Sequence, residues 1–210
     1  MEIEKLLPII KMIRLFLLLL FCLNVSANSN FELTEKLNKM KSLTGNFKQK
    51  VTDQNGAILQ EVSGQFFFKK PNLFKWDYLK PLKSQLISDG ELLYLYDPDL
   101  KQVVISQLKK IGGVSPAMLL VTNDIESLFK ITRIRDKEID WFKAVPHEPD
   151  KANFKEVFIH FSQDKLKFMT IIDGFDNKTE IQFININQNL KINDAFFLFN
   201  TPDDIDVIKN

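Results

Sequence analysis

The stretch FKQKVTDQNGAILQEVSGQFFFKKPNLFKWDYLKPLKSQLISDGELLYLYDP, Phe47 to Pro98, decides the architecture of this 210-residue chain. Its apolar residues recur at every second position, the period at which the side chains of a strand share a face. Phe47 and Val51 lead; after the Asn55-Gly56 turn, Ile58, Val62, Phe66 and Phe68 line up, and Pro71 ends that strand. Phe74, Trp76 and Tyr78 then face one way, with Lys75 and Asp77 on the other side. Asp89-Gly90 turns the chain into Leu92 to Tyr96, and Asp97-Pro98-Asp99 turns it into Val103 to Ser106. Five strands in series joined by tight turns predict an antiparallel meander. The stretch carries no catalytic signature, and its apolar positions exceed what the packing of so short a segment needs. That pattern points to holding apolar matter rather than to chemistry.

Upstream, Ser29 and Glu32 are spaced as a capping box, and Leu33, Leu37 and Met40 recur at helical spacing over a polar back, which predicts an amphipathic helix near 31–42. Downstream, residues 108–130 interrupt the strand pattern. Gly112-Gly113 reads as a hinge, Ser115-Pro116 as a cap with proline at the first helical position, and Ala117 to Val121 is almost wholly apolar. Asn123 with Glu126 opens a second short helical turn, so helices are expected within 115–130. Strands resume at Ile131 to Arg135, Ile139 to Ala144, Phe154 to Phe161, Leu166 to Asp173 and Lys178 to Ile186; the apolar patch Ala195 to Phe199 precedes a polar tail. The fold class is mainly β (α+β). A sheet of this many antiparallel strands curls on itself, and short greasy helices either cover its apolar face as a lid or plug it as a solid core.

Composition narrows the function. The chain is 45% apolar, enough for one domain with a sizeable core, and it carries 19 Phe against 3 Tyr and 2 Trp, the aromatic ring without a polar handle. The formal net charge is +1 and no basic field for nucleic acid exists. Residues 1–27 read as a secretory signal: Lys11 and Arg14, the apolar run Leu15 to Leu23, and the small residues Val25-Ser26-Ala27, with cleavage near Ala27 and Met1 or Met12 as the start. The lone cysteine, Cys22, lies inside that signal, so the mature chain from Asn28 is expected to have neither disulfide nor cysteine metal site.

Enzyme readings find little support. His147 and His160 are the only histidines and neither has a nucleophile near it in sequence. Ser-x-x-Lys occurs at Ser106, Ser127 and Ser162, a background frequency in a lysine-rich chain. No nucleotide-binding motif is present, so no cofactor and no ATP-driven step are expected of this chain. A lipid-chain carrier, a periplasmic hydrolase and a β-scaffold binding module remain as classes, distinguished by bound apolar ligand, clustered titratable groups or a filled interior.

Several boxes resemble the periplasmic outer-membrane lipoprotein carrier, the LolA family: Phe47 to Asp53, Lys69-Lys70-Pro71-Asn72-Leu73-Phe74-Lys75-Trp76, Ile87-Ser88-Asp89-Gly90, Tyr96-Asp97-Pro98 and Ser115 to Leu120. The resemblance implies an incomplete antiparallel β-barrel closed by a short α-helical lid, holding acyl chains in an apolar cavity and performing no chemistry. It implies lipoproteins as cargo, an inner-membrane lipoprotein-releasing ABC transporter as donor, an outer-membrane lipoprotein acceptor as recipient, a periplasmic location and a monomer. It places a lid latch at Lys70, where the family usually carries arginine, with the lid carbonyls of Leu37, Leu120 and Val121 as its partners. It also places Phe74 and Trp76 at the cavity; Phe47, Phe66, Phe68, Leu86, Leu92 and Met118 are candidate lining residues on pattern alone. An outer-membrane acceptor of the same fold is the alternative, and needs a lipidated cysteine that Phe21, just before Cys22, argues against.

Overall fold

The computed structural model describes residues 29–108, 118–136 and 139–210. The signal segment 1–27 and the Gly112-Gly113 and Ser115-Pro116 features lie outside the described residues. Helix α1 spans Ser29–Lys39, and strands β1 (Ser42–Thr52), β2 (Ile58–Lys69), β3 (Leu73–Lys80), β4 (Ser84–Asp89), β5 (Leu92–Asp97) and β6 (Gln102–Gln107) follow. Two one-turn helices, α2 (Met118–Val121) and α3 (Ile125–Leu128), precede β7 (Phe129–Asp136), β8 (Ile139–Pro146), β9 (Phe154–Ser162), β10 (Lys165–Asp173) and β11 (Lys178–Gln188). A 3-10 turn at Asp194–Phe197 and strand β12 (Asp206–Lys209) end the chain.

All twelve strands join one sheet in the order β12-β6-β5-β4-β3-β2-β1-β11-β10-β9-β8-β7. Every neighbouring pair is antiparallel except β12 with β6, which is parallel. The end strands β12 and β7 do not pair, so the sheet curls without closing. Its register is irregular at several points: β1 against β11 shifts at Thr44/Asn46, β2 against β3 at Ser63/Gly64, and β9 against β10 at Leu166/Phe168. An extra residue on one strand kinks it and raises its twist, which is how a wide sheet wraps around a core.

Three expectations change. The first helix stops at Lys39 rather than 42, because Ser42 already pairs with Lys69 in the sheet. The meander has six strands, not five: β4 intervenes between β3 and β5. The tail after Thr201, expected only to be polar, supplies β12, whose Val207 lies opposite Val103 of β6.

The inner face of the sheet carries the core. Phe47 of β1, Phe66 and Phe68 of β2, Phe74 and Trp76 of β3, and Phe142, Val157, Ile159, Leu166, Met169, Ile181 and Phe183 of the second half are all buried. Glycines leave gaps in this inner face, and one of them is bridged by its neighbours. Gly64 lies opposite Phe47 on β1 and opposite Tyr78 on β3, and across it the two rings meet edge to face at 5.4 Å. Outside, the segment after β11 returns across β3 and β4: Phe196 packs on the outward ring of Phe67 at 4.8 Å, and Phe199 stacks on Tyr94 at 5.1 Å.

Candidate functional site: the apolar inner face and its lid

Helix α1 covers the inner face with the stripe that its sequence period dictates. Leu33, Leu37 and Met40 are 0, 1 and 3% exposed, and burying each is worth about 1.5–3 kcal/mol. α2 is buried on every side, Met118, Leu119, Leu120 and Val121 alike, and Ile125 of α3 joins them. These side chains form one continuous cluster with Phe47, Phe66, Phe68, Phe74 and Trp76. The lid therefore fills the inner face rather than roofing an empty hollow: its Leu, Met and Val side chains occupy the place where an apolar guest would lie.

Little besides that apolar contact holds α1 down. Glu32 pairs with Arg133 on β7, Lys36 with Asp164 in the β9–β10 turn, and the side-chain amide of Asn189 donates to the Lys39 carbonyl at the helix end at 3.0 Å. Thr34 also donates to Glu126 of α3 at 3.4 Å. Lys36 holds the Asp164 carboxyl below the usual aspartate range, but Asp164 is largely exposed, and solvent screening leaves such a pair a weak anchor.

The junction between lid and sheet is the turn from β2 to β3. Lys70 Nζ donates to the side-chain carbonyl of Asn38 on α1 at 3.2 Å. That is the lid contact of Lys70, not the main-chain carbonyls of Leu37, Leu120 and Val121 that the resemblance suggested. The Leu37 carbonyl accepts from Met40 N–H at its own helix end. The Val121 carbonyl accepts from the backbone N–H of Asn72 at 3.1 Å, so the main chain, not the lysine, ties α2 to the sheet. Asn72 sits at φ 61°, the left-handed region that asparagine tolerates, and its own carbonyl accepts from Ser88 Oγ at 2.8 Å. Burial, with Lys41 alongside, lowers the Lys70 ammonium from 10.5 to about 8.

Of the expected lining residues, Phe47, Phe66, Phe68, Phe74, Trp76 and Met118 lie in the one cluster, with Leu86 packed against it. Leu92 does not. β5 contributes Leu93 to the core instead, and Leu92 shares the outer face with Tyr94 and Tyr96. In an unbroken run of five apolar residues the sequence offers no polar position to mark the outer face, so the phase of the period of two cannot be read. At the open rim, Gln49, Val62, Tyr78, Pro81 and Leu82 are among the residues that border a recess of about 270 Å³.

The histidines stand in unrelated settings. His147 Nε2 lies 3.1 Å from the Glu126 carbonyl, and His160 stacks between Trp141 and Phe168 on the outer face. Among the described residues, no group of three or more His, Cys, Asp or Glu is placed to hold a metal ion.

The family described as outer membrane lipoprotein carrier protein LolA matches residues 38–200. A protein named outer-membrane lipoprotein carrier protein from Methylobacillus flagellatus is 38% identical over 169 residues, 80% of this chain and 82% of its own. One of the same name from Pseudomonas paraeruginosa is 37% identical over 180 residues, 84% and 86% of the two chains. Among solved structures, a LolA superfamily protein from Nitrosomonas europaea superposes with a TM-score of 0.51 at 10% identity, over 83% of this chain and 99% of its own, a likeness of fold.

Proposed function

This chain belongs to the LolA family of outer-membrane lipoprotein carrier proteins, and from that premise we propose that it is a periplasmic chaperone whose inner face takes up lipoprotein acyl chains when the lid leaves. The observation that carries this reading is the cluster in which lid and sheet side chains share one apolar surface. Each methylene withdrawn from water contributes about 0.8 kcal/mol, so ten contribute about 8 kcal/mol, a grip that would make release slow. Here the guest must displace Leu33, Leu37, Met40 and the α2 side chains, which already occupy that surface. Net affinity is then a difference between two apolar contacts, and release needs no chemistry by this chain. An inner-membrane ABC transporter as donor, an outer-membrane acceptor as recipient and a monomeric working state complete the proposal. Incubating the mature protein with membranes that hold a labelled lipoprotein and the transporter is expected to yield a soluble labelled complex; label that stays in the membrane fraction contradicts the reading.

Lys70 is the proposed regulator of lid closure, through its cost rather than its grip. Closing the lid buries its charge near Lys41 for a single hydrogen bond to Asn38. The group is half-buried with a closed-state pKa of about 8, below its value of 10.5 when open. Below pH 8 it is protonated in both states. Between 8 and 10.5 the open state binds more protons, so closure strengthens as pH rises through that window. The melting temperature of the wild type is therefore expected to rise relative to Lys70→Met between pH 8 and 10; parallel curves would refute the assignment.

A further inference from the structure

Among the described residues, two buried side-chain polar atoms have no hydrogen-bond partner: Asn72 Oδ1, at the lid junction, and Trp76 Nε1, in the middle of the apolar cluster. Trp76 is 5% exposed and is ringed by Phe47, Phe66, Phe68, Tyr78 and Phe183, at centroid distances of 4.7 to 6.5 Å. Its neighbour across the β3–β4 pairing is Leu86, and the buried hydroxyl of Ser88, two residues further along β4, donates to the Asn72 carbonyl and accepts from the Gly90 N–H. A buried donor without an acceptor is a standing cost that phenylalanine at the same place would avoid, while still packing against the same rings. A water is a poor remedy, because a buried water needs two to four polar partners and this wall is made of aromatic carbon.

The acceptor that suits this site arrives from outside and is neutral, since a charged group would lose its hydration in such surroundings. Hydrocarbon offers no acceptor at all. The carbonyl at the head of an esterified acyl chain does, and it travels attached to the apolar matter that the inner face takes up. We infer that the Trp76 indole N–H donates to the ester carbonyl of a bound acylglyceryl group, so that the site reads where the chain ends as well as that it is greasy. The inference rests on the carrier reading and adds to it a preference for esters over plain hydrocarbon.

The test uses the mature protein and two probes of equal chain length, a diacylglycerol and the dialkyl ether that lacks both carbonyls. The wild type is expected to bind the ester about tenfold more tightly, about 1.4 kcal/mol. Trp76→Phe is expected to bind both probes alike, at the affinity of the wild type for the ether. Independently of Trp76→Phe, the Trp76 Nε1–H resonance, told apart from Trp141 by Trp141→Phe, is expected to move downfield with the ester and not with the ether. Equal affinity of the wild type for both probes, or a preference that persists in Trp76→Phe, overturns the inference while leaving the carrier reading intact. Failure of the wild type to bind either probe overturns the carrier reading and the inference with it.

Discussion

Gly64→Ala is expected to cost about 3 kcal/mol of stability, an overpacking penalty at the upper end of the usual range, and to lower the melting temperature by roughly 10 °C. A Cβ at that position would stand 1.8 Å from the Asp77 carbonyl oxygen and 2.8 Å from the Phe47 ring. The ring could turn aside. The carbonyl belongs to the backbone of β3, at the register shift between Ser63 and Gly64, so relief requires β2 and β3 to separate there. The separation would also pull Phe47 and Tyr78 apart, undoing the edge-to-face contact that spans the glycine. Gly174→Ala is the control, since nothing lies within 4 Å of a Cβ there, and it is expected to stay within about 0.5 kcal/mol of the wild type. Urea titration decides between them: the midpoint should fall for Gly64→Ala at nearly constant slope. Equal midpoints for the two variants would mean that the close approach of β2 and β3 is not there.

The strands whose two faces meet different surroundings were legible, and those covered on both faces were not. In β1 to β3 the inward aromatics Phe47, Phe66, Phe68, Phe74, Trp76 and Tyr78 are set off by Lys48, Gln65, Lys75 and Asp77 on the outer side, and the one outward ring, Phe67, is where Phe196 packs. β4 breaks that rule. Its Leu86 faces the core while Ile87 is 3% exposed, because the returning 3-10 turn packs across the outer face of β3 and β4. Two adjacent apolar residues in a six-residue segment give no period to read. The same covering hid the phase of β5 and exchanged Leu93 for Leu92. The lid stripe was legible from its helical spacing, but its anchors were not. Glu32 with Arg133 and Lys36 with Asp164 are 101 and 128 residues apart, and nothing local marks either pair. The family box placed Lys70 beside the lid, yet whether it met a carbonyl or the Asn38 amide depended on how α1 ends, which is settled by the strand that starts at Ser42.

Leu37→Asp is expected to release α1 and to slow delivery of bound lipoprotein at least tenfold while leaving loading intact. Leu37 is 1% exposed at the centre of the stripe, and a carboxylate there is uncompensated: the ionic partners of the helix sit at its rim, at Arg133 and Asp164. Burying that charge costs several kcal/mol, more than the rim pairs return, so the helix leaves the surface instead. Once detached, an 11-residue segment is too short to stay helical alone. The sheet keeps its own strand pairing and its Phe-rich inner face, now open to a guest that meets no competitor from α1. A hydrophobic dye should brighten severalfold on the empty variant, and the labelled lipoprotein should enter the soluble complex as before. Hand-off to acceptor membranes should lag, because displaced side chains that would return to the surface and help expel the chains are gone. Delivery at the wild-type rate, with the dye signal raised, would show that α1 is only a cover and that the exchange of lid for guest is not what makes release possible.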